Sequence, residues 1–251
     1  MIISDQHRYV FVELPRTGST AVAAELTENY GGRSILGKHS TYRDFLRIAT
    51  PDQSQYFTFS GIRNPLDVAV SRYVQLKTNK GQRFTDPAKL ADRNTRVEKM
   101  ENRIYKWVQE NDATFEQFLS RWYLLPYDTW ASLDHKRMDM VLRFENLSDD
   151  FAEGLRRIGL DPVRPLPVVN PTPARSREFE GYYTPRAMDR AVWVFGPYME
   201  QFGYRFPDAW GTMKVPAWSR VVRRAVGLFR GLYWKYGRVA RGARRPKMAP
   251  G

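Results

Sequence analysis

Apolar residues first gather in the chain at Tyr9-Val10-Phe11-Val12, an unbroken run with the length and composition of a buried first strand. Ala21 to Tyr30 reads as helix, so Pro15 to Ser19 is the connection, and the Gly31-Gly32 pair stops the helix. Arg33 to Leu36 predicts a short second strand, and Tyr42 to Ile48 an amphipathic segment with Phe45, Leu46 and Ile48 apolar. Tyr56 to Ile62 alternates aromatic and small residues as a strand does; Asn64 suits a helix N-cap and Pro65 the first helical position. Two further helices follow, Val97 to Glu110 with Met100, Ile104, Trp107 and Val108 on one side, and Thr114 to Leu125 with Phe115, Phe118, Leu119 and Trp122. Thr114 and Gln117 have the spacing of a capping box. Met138 to Phe144 alternates into a strand followed by a helix from Ser148 to Ile158, and a long helix spans Pro185 to Phe202. Strands interleaved with helices in this way predict an α/β domain.

The polar segments divide the chain further. Lys77 to Arg96 contains Gly81 and Pro87 and has no stable period, so residues 78–96 are expected to form a flexible insertion or lid. Five prolines between Asp161 and Pro173 exclude regular structure there. From Ala209 to Gly251 there are eleven Lys and Arg and no acidic residue, which leaves 29 Lys and Arg against 27 Asp and Glu before it, a net of +2 of the total +13. The division expected is a nearly neutral domain over 1–208 and a basic tail over 209–251. Within the tail, Trp218 to Gly237 is a basic amphipathic helix, suited to an anionic membrane surface, to an acidic polysaccharide, to nucleic acid or to packing on the body of the protein. No nucleic-acid-binding motif accompanies it, and nucleic acid is not expected as a partner.

The absence of Cys excludes disulfides, thiolate metal sites and Cys nucleophiles, and the three widely spaced His lack useful metal-ligand spacing. No apolar run approaches the roughly 20 residues of a bilayer span, and the first strand leaves no room for a signal peptide, so a cytoplasmic location is expected, with the membrane surface as a further possibility through the tail.

The chemistry centres on Pro15-Arg16-Thr17-Gly18-Ser19-Thr20. A turn from a strand into a helix presents first-turn amides that have no partner inside the helix and attract an anion. Gly18 lets the backbone come close, Ser19 and Thr20 add hydroxyl donors, and Arg16 adds a planar cation. The Walker A pattern fails here, because Glu13 stands where its first Gly belongs and Ser19 where its Lys belongs. What remains resembles the 5′-phosphosulfate loop of sulfotransferases that use 3′-phosphoadenylyl sulfate (PAPS), with Arg16 in place of the usual Lys.

A second stretch, Ser60-Gly61-Ile62-Arg63-Asn64-Pro65 through Ser71-Arg72-Tyr73, resembles the 3′-phosphate motif of the same family. The resemblance implies that Arg63, at a strand end, and Ser71, two turns into the next helix, hold the 3′-phosphate. Lys38-His39-Ser40 resembles a loop of the carbohydrate-type branch, where a His is the proposed base; imidazole suits that role near neutrality. Glu13, which also flanks the loop, is the alternative base. Arg143-Phe144-Glu145 resembles a structural strand of the family, and the order of basic loop, Tyr182-Tyr183, helix and Phe202-Gly203-Tyr204 resembles its closing segment, which gives Arg175 and Arg177 to a cofactor phosphate. The aromatics Trp122, Tyr123, Tyr127 and Trp130 could stack on sugars, although burial is the commoner fate of such residues.

Together these imply a three-layer α/β/α domain of P-loop-like type with about five mostly parallel strands, and sulfuryl transfer from PAPS to a hydroxyl of a carbohydrate or glycolipid. PAP would be the product, and no metal would be needed. Two other readings remain at this point: a P-loop-like nucleotide kinase or triphosphatase, and a non-enzymatic protein that binds anions at a membrane surface.

Overall fold

The computed structural model describes residues 1–91, 95–128, 135, 137–167 and 179–232. They fall into two compact units, the first built from Met1–Asn64 and the described parts of Asp128–Pro171 and Gly227–Gly251, the second from Pro65–Tyr127 and the described parts of Thr172–Val226.

The first unit is organised by a five-stranded sheet of β1 (Ile2–Ser4), β2 (Tyr9–Val12), β3 (Arg33–Ser34), β4 (Phe57–Ile62) and β5 (Met140–Arg143), in the order β3-β1-β2-β4-β5. The class is α/β and the strand number matches the expectation, but the sheet is mixed rather than mostly parallel. β2 pairs with β4 and β4 with β5 in parallel, whereas β1 is antiparallel to both β2 and β3. The difference comes from β1, which replaces β2 as the first strand; at three residues it is too short to show a period, and a tight turn over 5–8 folds it straight onto β2. The expected strand from Arg33 to Leu36 shrinks to an exposed two-residue edge, and Ile35 and Leu36 turn inward instead.

Side chains alternate across β2, so Tyr9 and Phe11 meet one face and Val10 and Val12 the other. On the first face they pack with Phe59 and Leu142, with Leu26 of α1 (Ser19–Asn29), and with Phe151 and Leu155 of the helix Leu147–Arg157. On the second face they meet Leu36 and, from the short α2 (Tyr42–Phe45), Tyr42 and Phe45. The described part of the proline-rich stretch is irregular, as expected, and Arg164 holds it to the buried Glu25 through a forked pair at 3.0 and 3.2 Å. The parallel strands β2, β4 and β5 end at one edge, where β3 also finishes. That edge therefore gathers the turns at 13–18, 35–40, 63–64 and 144–146.

The second unit is helical: α3 (Pro65–Thr78), α4 (Pro87–Ala91), α5 (Arg96–Glu110), α6 (Phe115–Trp122) and, after α7 (Leu147–Arg157) of the first unit, α8 (Pro185–Phe202). Helix α9 (Ala217–Leu232) starts in this unit and finishes in the first. The Thr114/Gln117 capping box is present, and a second, Thr95/Glu98, opens α5. The stretch expected as a flexible insertion or lid carries a tight turn at Lys80–Gln82 and α4, and Phe84 anchors it, buried and stacked on Tyr105 at 4.7 Å. Tyr123 is buried against Phe118 and Phe195, and Tyr127 packs on Phe195 and Tyr198, so these aromatics serve the core; Trp130 lies outside the described residues. No helix among the described residues is long and apolar enough to cross a membrane.

Candidate functional site

The turn from β2 into α1 is wound around one carbonyl. Thr17 Oγ1 and Ser19 Oγ both donate to the Leu14 oxygen at 2.9 Å, which curls residues 14–19 back on themselves. In this geometry the hydroxyl proton of Ser19, expected as a donor to an anion, turns back into the loop. What the loop presents is backbone: α1 opens at Ser19, and the amides of Ser19 and Thr20 precede any intrahelical carbonyl able to accept them. Ala21 and Val22 already donate to the Gly18 oxygen, at 3.0 and 3.4 Å.

Gly18 caps the helix with φ 75° and ψ 8°, in the left-handed region. A Cβ there would lie 2.4 Å from Leu147 Cδ2 and 3.3 Å from Phe144 Cδ2, so the residue is required twice over, for its backbone angle and for its lack of bulk. Gly61 on β4 is the matching case from the strand side: a Cβ on it would come 2.6 Å from Thr17 Oγ1. The loop lies directly against the end of β4.

That closeness brings the two sequence motifs together. Arg63, only 8 % exposed, donates from Nη1 to the Arg16 carbonyl at 3.2 Å and lays its guanidinium over the Phe144 ring, 4.0 Å from the centroid. Glu145 accepts the Asn64 amide at 2.7 Å, so the turns after β4 and β5 are joined as well. Glu145 lies exposed on the turn after β5 and not within the strand that the resemblance implied. Ser71 lies two turns into α3, half-buried, in the second unit.

His39 sits on the turn that follows β3, with Nδ1 3.0 Å from the Glu13 carbonyl. A ring N–H donated to that oxygen leaves Nε2 as the basic nitrogen. His39 is exposed, yet desolvation of its ring, and secondarily the Lys38 charge, push its pKa below the ordinary 6.5 against the opposing pull of the Glu13 carbonyl, so the ring is neutral at physiological pH. Glu13, the other candidate base, is buried with its carboxylate on the Met1 ammonium. Both Arg16 and His39 have φ 66°, left-handed geometry that costs a residue with a Cβ about 1–2 kcal/mol.

Three residues passed over in the sequence belong to this edge. Lys38 donates from Nζ to Thr20 Oγ1 at 2.9 Å, which places a cation beside the start of α1; its signal was its position next to His39. Phe144 supports the Arg63 guanidinium, and nothing in its sequence context says so. His135 is buried with Nε2 3.1 Å from the Gly61 carbonyl, its pKa lowered by desolvation and only partly restored by that bond. Arg175 and Arg177 lie outside the described residues. A groove of about 480 Å³ runs beside α1 between Glu13, Lys38, Ala23 and Thr27, and neither Arg16 nor Arg63 lines it. Among the described residues, no group of three or more His, Cys, Asp or Glu is placed to hold a metal ion.

Comparison of the chain with family models, with curated proteins and with solved structures finds no match.

Proposed function

We propose that the chain is a PAPS-dependent sulfotransferase, of the three-layer P-loop-like type, that sulfates a hydroxyl of a carbohydrate or glycolipid in the cytoplasm or at its membrane surface. The observation that supports this most is the Arg63-to-Arg16 contact at 3.2 Å, because two stretches read independently as parts of one nucleotide site meet at the carboxyl edge of parallel strands. The fit to a phosphate group rests on the donor amides of Ser19 and Thr20 that open α1, after the left-handed turn at Gly18.

Bound PAPS would supply the sulfuryl group, exchanging its S–O bond to phosphate for an S–O bond to the acceptor oxygen. The rest falls to the residues of the chain. The amides of Ser19 and Thr20, with Arg16 and Lys38, stabilise negative charge at the loop. Arg63 anchors the 3′-phosphate while its bond to the Arg16 carbonyl holds the loop in shape. His39 Nε2 takes the acceptor's hydroxyl proton. Ser71 has its 3′-phosphate role from the motif alone, and the reading stands on the residues of the first unit.

The direct test is a thermal-shift comparison of PAP, ADP and ATP, each with and without Mg²⁺. PAP at a hundred times its dissociation constant is expected to add about 2.7 kcal/mol of stability, about 5–10 °C for a chain of this size, with no need for the metal. A shift given only by ATP with Mg²⁺ would instead identify a kinase or triphosphatase.

His39→Ala is expected to lower turnover by about 10²–10⁴ while leaving PAP affinity intact. In the wild type, turnover should stay level through neutrality and fall on acidification through a pKa below 6.5, because protonation removes the base. Stability should follow the same direction: with the folded pKa depressed, the unfolded chain binds the proton more readily, so this contribution is present above 6.5 and is lost as pH falls through the folded value. An unchanged pH profile in His39→Ala would move the base elsewhere.

A further inference from the structure

Helix α9 is amphipathic, as its sequence predicts, but it presents its apolar side outward. Trp218, Val221, Leu228, Phe229 and Leu232 are 49–74 % exposed, and Ala225 is exposed with them. At about 100° per residue these six positions fall within roughly a 100° arc, a continuous stripe along four turns of helix. The opposite side faces the protein. There Ser219 Oγ donates to the Trp193 carbonyl, and Arg223 donates to the Pro197 carbonyl at 2.9 Å and lies over the Tyr198 ring. In the last turns of the helix, Arg230 pairs with Asp128 at 3.0 Å.

A surface helix that packs only on its own domain would bury the stripe and expose the arginines. Here Arg223 and Arg230 are turned inward and the two largest apolar side chains of the last turns, Leu228 and Phe229, are the most exposed of the stripe, at 70 and 74 %. Arg224, exposed, flanks the stripe, and Lys214 is exposed just before the helix. The surrounding sequence, 209–251, contains eleven Lys and Arg and no acidic residue.

We infer that α9 docks on an anionic lipid surface, with Trp218, Val221, Leu228, Phe229 and Leu232 inserted at the boundary of headgroups and acyl chains and Arg224 and Lys214 on the headgroups. Charge selects this occupant. The stretch 209–251 carries eleven Lys and Arg and no acidic residue, so a second copy of the chain would bring like charge to like, and a neutral apolar partner would leave Arg224 and Lys214 without a role, whereas an anionic bilayer takes both the apolar stripe and the exposed cations beside it. The inference is independent of sulfuryl transfer and holds whatever the loop at Gly18 binds.

The test is co-sedimentation of the full chain with phosphatidylcholine vesicles, with and without phosphatidylserine. The chain is expected to pellet with the serine-containing vesicles, and Leu228→Ser/Phe229→Ser to lower that partition by about tenfold or more. Arg224→Ala should lower it about fivefold, the share of one cation near such a surface. Because both serine positions are exposed, the melting temperature and any PAP-induced shift should match the wild type, which separates this result from the nucleotide reading. Three outcomes overturn the inference: no pelleting by the wild type, pelleting that the serine variant retains in full, or a dimer in sedimentation velocity that the serine variant abolishes. The last would put a second copy on the stripe.

Discussion

Arg63→Ala is expected to weaken PAP binding by about a hundredfold or more, and binding of the 3′-dephosphorylated nucleotide by distinctly less. The two parts of the loss have separate causes. Removing the guanidinium deletes the charged hydrogen bond proposed for the 3′-phosphate, worth about 1.5–3 kcal/mol, and only the ligand that carries this phosphate feels it. It also deletes the bond to the Arg16 carbonyl and the stacking on Phe144, and the slackened loop then penalises both ligands alike. Calorimetric titration of the two nucleotides against wild type and variant resolves these parts. Equal losses would leave Arg63 as a clamp on the loop and nothing more, and the 3′-phosphate assignment would be withdrawn.

Gly18→Ala should destabilise the first unit through both its backbone angle and its lack of room. The left-handed backbone at φ 75° costs alanine about 1–2 kcal/mol, and the added carbon, 2.4 Å from Leu147 Cδ2 in the present geometry, forces a repacking worth about 1–3 kcal/mol. The expected sum, about 3 kcal/mol, corresponds to a fall of about 6–12 °C in melting temperature. Gly81→Ala is the control. Its φ of 66° carries the same backbone penalty, but nothing lies within 4 Å of the new Cβ, so it should cost only about half as much. If the two variants melt together, the loop is not packed against Phe144 and Leu147 as described.

The strand, loop and helix around Gly18 were legible because each leaves a local mark: four consecutive apolar residues, a Pro-to-Gly turn, then a helical run. The start of α3 at Pro65 and the Thr114 capping box were legible for the same reason, since a cap is a side-chain relation over three residues. β1 left no mark, and with it went the direction of half the strand pairings. The partners of the site side chains were equally hidden. That Arg63 reaches residue 16 and that Phe144 underlies it are consequences of which strands become neighbours, and no window of sequence contains both members of such pairs. For α9, periodicity gave the two faces of the helix and could not say which would meet solvent.

The φ of 66° shared by Arg16 and His39 has a consequence for how this chain can change. At both positions glycine would relax the backbone while deleting the side chain that the reaction is proposed to use. Selection for heat resistance and selection for turnover thus pull in opposite directions at the same two codons, and lineages or libraries pressed only toward the first would drift out of chemistry while keeping the fold.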